Sequence, residues 1–161
     1  MHPIGSVLVL MFVVGGCATA PADPAPPPPP LERDAALRAA AGALAAGGGG
    51  FAEEFLSAAG GEATPWVRPL LDNPDSEVRL VAQALLLSAG EDLGLSSAEE
   101  VDLILFDLAR DEAHPYAGMR ALERLRVLGD AAKPALLIAS GDTGRRGEVA
   151  RRLLDRWAVK P

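Results

Sequence analysis

TPWVRPLLDNPDSEVRLVAQALLLSAG, residues 64–90, spells two short helices back to back. Thr64 is placed to cap the first with Pro65 at its first position, and Asn73 to cap the second with Pro74 at its first position. A side-chain oxygen there satisfies an orphan N–H, and proline has none to lose. Leu70, Leu71, Val78, Val81, Ala82, Leu85 and Leu86 then recur at spacings of three and four, so each helix offers an apolar stripe to the other. A lone hairpin of this kind cannot cover its own outer face. The flanking sequence has to supply the rest of the core.

Composition agrees with helices on both sides. Ala, Leu and Gly dominate, aromatic residues make up 4%, and β-branched runs are nearly confined to the N-terminal segment, which predicts an all-α protein. The 161 residues divide into a targeting and tether segment, residues 1–30, and a globular part, residues 31–157, large enough for one small core. Net charge is −7, unevenly spread: residues 31–115 carry −11 and residues 116–161 carry +5. The domain is polarised end to end. Cys17 is the single cysteine, so no internal disulfide is available and stability has to come from helix packing.

Residues 4–14, IGSVLVLMFVV, form an apolar run well short of the roughly 20 residues a membrane-crossing helix needs. It fits the hydrophobic region of a signal peptide. Val14-Gly15-Gly16-Cys17 follows directly, and here the chain resembles a bacterial lipoprotein signal, although Met1-His2-Pro3 lacks the usual Lys or Arg. The resemblance implies removal of residues 1–16, a diacylglyceryl thioether on Cys17 and an acyl chain such as palmitate on its amine. Ala18 rather than aspartate after the cysteine implies export to the outer membrane, with the domain in the periplasm. Residues 18–30, ATAPADPAPPPPP, favour polyproline II and form with Cys17 a tether, residues 17–30, on the order of 40 Å long.

Past the tether the pattern predicts an Ala-rich helix over 31–46, stopped by Gly47–Gly50. A short helix over 51–59 follows, with Phe51, Phe55 and Leu56 on one face and Glu53 and Glu54 largely opposite. Together they make an N-terminal helical cap, residues 31–61. Beyond Gly90, Ser97 and Glu100 read as a capping box opening a helix to about Arg110, with Val101, Ile104, Leu105 and Leu108 inside. Pro115 opens the next helix, carrying Ala121, Leu122, Leu125 and Leu128 as far as Gly129. Asp130 is placed to cap a helix through Ala139, and Gly141–Gly144 turns the chain into a last helix bearing Val149, Ala150, Leu153, Leu154 and Trp157.

The same two-helix unit recurs three times, and residues 62–157 resemble HEAT repeats of the bacterial kind. The first unit carries the resemblance best: Pro69-Leu70-Leu71-Asp72, an acidic turn, Val78-Arg79, then Ala82, Leu85 and Gly90. It weakens along the chain, since Pro115-Tyr116 disturbs the Val-Arg position of the second unit and no arginine follows Val149 in the third. The resemblance implies a short right-handed α-solenoid of helical hairpins, in which Asp72 and Arg79 support a turn. Each unit there exposes a flank that only a neighbour can cover. An irregular helical bundle built from the same hairpins is the alternative.

No catalytic constellation survives inspection. Asp111-Glu112-Ala113-His114 spells a helicase box, but no Walker A motif accompanies it, and Gly47–Gly50 has neither a preceding strand nor a following Lys-Ser/Thr. Ser140, Asp142 and Thr143 share a turn with no histidine nearby to act as base. With His2 and His114 the only histidines, no metal site, cofactor or nucleic-acid partner is expected. The basic end is the candidate surface: Arg120 and Arg124 one turn apart, and Arg145, Arg152 and Arg156 along the last helix, suited to an anionic partner through their planar forks. Pairing of Glu148 with Arg152 and of Arg151 with Asp155 would instead make that helix a plain solvated face. The expected function is a non-enzymatic, lipid-anchored adaptor or scaffold in the bacterial envelope that binds another protein. The alternatives are an envelope enzyme subunit using Asp107, Asp111 and Glu112, and a structural lipoprotein associated with membrane surface or glycan through its basic end.

Overall fold

A computed structural model describes residues 30–158; Cys17 and most of the tether lie outside them. Among the described residues every regular element is helical and there are no strands. Helices α1 (Pro30–Ala45) and α2 (Phe51–Ala59) form the first pair, and α3 (Thr64–Val67) and α4 (Ser76–Ser88) the second. Helices α5 (Ser97–Ala109), α6 (Pro115–Leu128), α7 (Lys133–Ala139) and α8 (Arg145–Ala158) complete the order. Short 3-10 turns at Gly60–Ala63, Arg68–Asp72 and Gly129–Ala132 bracket α3 and precede α7. No helix among the described residues is long and apolar enough to cross a membrane.

Two apolar cores hold these helices. The first gathers Leu37, Leu44, Leu56, Val67, Leu70, Val78, Val81, Leu85 and Leu86 from α1 to α4. The second gathers Val101, Ile104, Leu105, Leu125, Leu136, Val149 and Leu153 from α5 to α8. Truncating any fully buried leucine of either to alanine costs about 2–5 kcal/mol, since the lost transfer energy adds to a cavity. Helix α5 is the hub, packed on α4, α6, α7 and α8. In consequence α8 lies across α5 and α7 rather than flush along α6.

Local chemistry sets the joints. Asp75 caps α4 by accepting from Glu77 N–H at 2.8 Å, while Asn73 Oδ1 accepts from Asp75 N–H at 2.9 Å and Asn73 Nδ2 donates to Ala45 O at 3.2 Å. Asn73 therefore builds the turn and ties it to α1, and the cap expected at Asn73 falls two residues later, at Asp75. Arg79 reaches back from α4 and donates to Asn73 O at 2.7 Å and Pro74 O at 2.8 Å, a structural role in the turn. Gly90, at φ 87°, ends α4 in a conformation only glycine adopts freely, and Glu91 N–H returns to Leu86 O at 3.0 Å.

Four further details differ from the sequence pattern. Thr64 lies inside a run of helical turns and its Oγ1 is buried without a partner among the described residues, because the preceding 3-10 turn already supplies the carbonyls that start α3. The capping box is Ser96 with Glu99, one residue before the expected pair. Asp130 sits in a 3-10 turn, and α7 starts at Lys133 without a side-chain cap. Leu122 is 48% exposed rather than buried, since no helix covers that side of α6.

Candidate functional site

Between the two cores sits a buried ionic network. Glu53 on α2, Asp107 on α5 and Arg120 on α6 are 1%, 2% and 7% exposed. Arg120 Nε donates to Asp107 Oδ2 at 2.9 Å, and its Nη2 donates both to Asp107 Oδ1 and to Glu53 Oε1 at 2.9 Å. Arg110, at the C-terminal end of α5, donates from Nη2 to the other Glu53 oxygen at 2.9 Å and lies over the Phe106 ring. His114 Nδ1 stands 3.8 Å from Glu53 Oε2. The spacing puts Glu53 largely opposite the Phe51, Phe55 and Leu56 face of α2, and the arginines at the end of α5 and on α6 make its burial there tolerable, as a buried carboxylate requires.

Electrostatics separate the two acids. Burial opposes the charged form of Glu53, but the hydrogen bonds and charges of Arg120 and Arg110 outweigh it, so its pKa lies below the ordinary value. Burial dominates at Asp107, with the neighbouring Glu53 charge adding to it, and pushes its pKa up to about 6 despite Arg120. A perturbed carboxylate can mark a reactive site. Here Asp107 faces a void of about 20 Å³, room for little more than a water molecule. Asp111 and Glu112 are exposed, and Arg145 lies 3.8 Å from Asp111 and donates to Glu112 at 2.9 Å. Among the described residues no group of three or more His, Cys, Asp or Glu is placed to hold a metal.

The five arginines of the basic end go to different places. Arg120 is inside, its Nε and Nη2 held by Asp107 and Glu53, and cannot present itself to a partner. Arg124 is half-buried and donates to the buried Glu100. Both point inward because α6 packs on α5 and meets carboxylates distant in sequence. Arg145 ties α8 to Asp111 and Glu112 just before α6. Arg152 is exposed, 3.3 Å from Glu148, the expected pairing along α8. Arg151 does not pair with Asp155; its Nη1 donates to Ser140 O at 2.6 Å and so closes the end of α7. Arg156 makes no ion pair among the described residues.

Arg152 and Arg156 edge a groove between α6 and α8. Its larger part, about 400 Å³, is lined by Leu122, Leu125, Arg126, Gly129, Leu153, Arg156 and Trp157. A smaller part of about 110 Å³ continues along α8 past Leu122, Leu153 and Arg156 to Leu108, Val149, Arg152 and Asp111. A second groove, about 480 Å³, flanks α6 on its other side, where Tyr116, Met119 and Val127 face Ser57, Ala58, Leu87 and Ser88. The ridge of α6 between them leaves Met119 and Val127 66% exposed. Isolated exposed apolar side chains are ordinary; here Tyr116, Met119, Leu122 and Val127 lie exposed along one helix bordered by grooves.

Leu122, Leu125, Leu153 and Trp157 read in the sequence only as buried stripe, and Arg126 carried no signal. In the structure Leu125 and Leu153 are buried and Trp157 is half-buried, but together with the exposed Leu122 they line one groove, a convergence set by where α8 packs and not encoded in local spacing. Comparison with known proteins returns no matching family model, curated protein or solved structure.

Proposed function

We propose that the chain is a lipid-anchored adaptor of the bacterial cell envelope, without catalytic activity of its own, that binds another protein through the grooved face of α6 and α8. The observation that carries this reading is the pair of open, largely apolar grooves on either side of α6, beside carboxylates that are either sealed in ion pairs or exposed at the surface. The lipoprotein-like Val14-Gly15-Gly16-Cys17 and the proline-rich tether supply the anchor, with the domain on the periplasmic side of the outer membrane. Confinement to a membrane plane raises the effective concentration of the domain near other membrane-bound partners.

The succession of helical hairpins and the Arg79 contacts to the turn carbonyls favour a short right-handed HEAT-like solenoid. The packing of α8 on α5 favours a closed bundle for the last pair. Either arrangement leaves the α6 ridge uncovered.

The anchor is tested by mass spectrometry of the protein made in a bacterial host. The expected N-terminal tryptic peptide runs from Cys17 to Arg33 and carries a diacylglyceryl group and an N-acyl chain, and Cys17→Ser abolishes both. A mature chain that retains Met1, or an unmodified Cys17, refutes it.

A further inference from the structure

We propose that the groove between α6 and α8 receives an acidic amphipathic helix of the partner protein, a deepening that rests on the adaptor reading above. The floor consists of Leu122 and Leu125 from α6 and Leu153 and Trp157 from α8. Two helices that diverge over such a floor leave the ridge spacing into which the side chains of a third helix interdigitate. Val149 to Trp157 spans about 12 Å along α8, two turns of a docked helix.

Charge selects the occupant. Arg126 stands on the α6 side and Arg152 and Arg156 on the α8 side, against Asp111 alone at the far end, where Arg145 lies 3.8 Å away. Arg126 and Arg152 hold only exposed pairs, at 3.6 Å with Glu123 and 3.3 Å with Glu148, and neither acid lines the groove. Pairs of that kind contribute little and exchange readily for a carboxylate held over an apolar contact. A helix with leucines at spacings of three and four and glutamates on both flanks matches floor and rims together. A lipid surface shares the negative charge but not the shape, because the apolar residues lie in a recess between helices.

The test uses the full-length chain in neutral detergent, carrying Trp66→Phe so that Trp157 alone reports. The probes are fluorescein-labelled sixteen-residue helices with that leucine pattern and either glutamate or lysine flanks, and vesicles containing phosphatidylglycerol. The acidic helix is expected to bind at least tenfold more tightly than the lysine helix and to shift Trp157 emission. Leu122→Glu, and the combined Arg126→Glu, Arg152→Glu and Arg156→Glu, each weaken it tenfold or more while far-UV circular dichroism stays unchanged. Equal binding of the lysine helix, indifference to these substitutions, or a Trp157 response to vesicles alone overturns the proposal. Photo-crosslinking residues placed at 119, 122 and 138 in cells separate it from the adaptor reading. An acidic helical segment captured from 122 supports both. Protein adducts from 119 but not 122 overturn the groove assignment and leave the adaptor standing, whereas protein adducts from 138 alone, or none from any position, overturn both.

Discussion

Arg120 Nη2 lies 2.9 Å from Glu53 Oε1, joining two helices 67 residues apart in sequence with almost no access to water. The contact belongs to neither apolar core; it spans the boundary between them. Removing one member of such a cluster leaves uncompensated buried charge, whereas replacing the cluster by apolar groups does not.

Arg120→Ala is therefore expected to destabilise the fold by about 3–5 kcal/mol, with Glu53 and Asp107 stranded. The combined Glu53→Leu, Asp107→Leu and Arg120→Met should recover most of that loss. Urea unfolding followed by circular dichroism measures both; a single substitution costing under about 1 kcal/mol contradicts the burial argument.

Asp107 and Glu53 together should give a stability maximum near about pH 4 to 4.5, with a decline from there to about pH 6. Asp107 has a folded pKa of about 6, above its ordinary 3.8, so its folded form holds the proton more tightly and stability falls as pH rises from about 4 to 6. Glu53 is depressed below its ordinary 4.5, so its contribution is present above that value and is lost as pH falls below it. Glu53, Arg110, Arg120 and His114 all stand near Asp107 or its partners. Asp107→Asn isolates the upper limb: the decline between pH 4.5 and 6 should disappear, and its persistence would assign the titration to another group.

Two helical glycines should respond to alanine with opposite signs. At Gly118 a Cβ would stand 2.8 Å from Asp111 Cβ, and the close approach of α6 to the end of α5 has little room to yield. Gly118→Ala is expected to cost about 1–3 kcal/mol. At Gly42, inside α1, nothing lies within 4 Å, so Gly42→Ala should stabilise by about 0.5–1 kcal/mol by restricting the unfolded chain. Thermal melts of the two variants decide it.

Arg79→Ala removes two charge-assisted bonds to the carbonyls of Asn73 and Pro74 and should cost about 1–3 kcal/mol. Arg79→Gln restores at most part of this. Amide exchange should quicken first across residues 73–79, and unchanged exchange there would refute the turn-clamp role.

Much of the helical order is legible in the sequence, because its punctuation is strong. Gly50 and Gly60 bound α2, Pro115 and Gly129 bound α6, and the observed limits fall at those residues. Caps are less legible: Ser96-Ser97 followed by Glu99-Glu100 fits the same pattern in two registers, and only the backbone chooses. The site was half legible. Arg145, Arg152 and Arg156 stand at the surface as their spacing on α8 suggests, with Arg152 and Arg156 at the groove, but Arg120 and Arg124 turn inward. The partners that draw them in, Glu53, Asp107 and Glu100, look like ordinary surface acids until the helices are packed together.

The ionic junction also has a mechanical meaning. The chain enters the fold at α1, within the first core, and the α6/α8 groove borders the second. A load applied between the tether and anything seated in that groove must cross from α2 and α4 to α5 and α6, through Glu53, Arg110 and Arg120 as well as the α4/α5 packing. Charge-assisted hydrogen bonds act over a short range and in fixed directions, whereas apolar surfaces can slide. This connection should resist small displacements stiffly and release abruptly, leaving each half able to keep its own core as the two part.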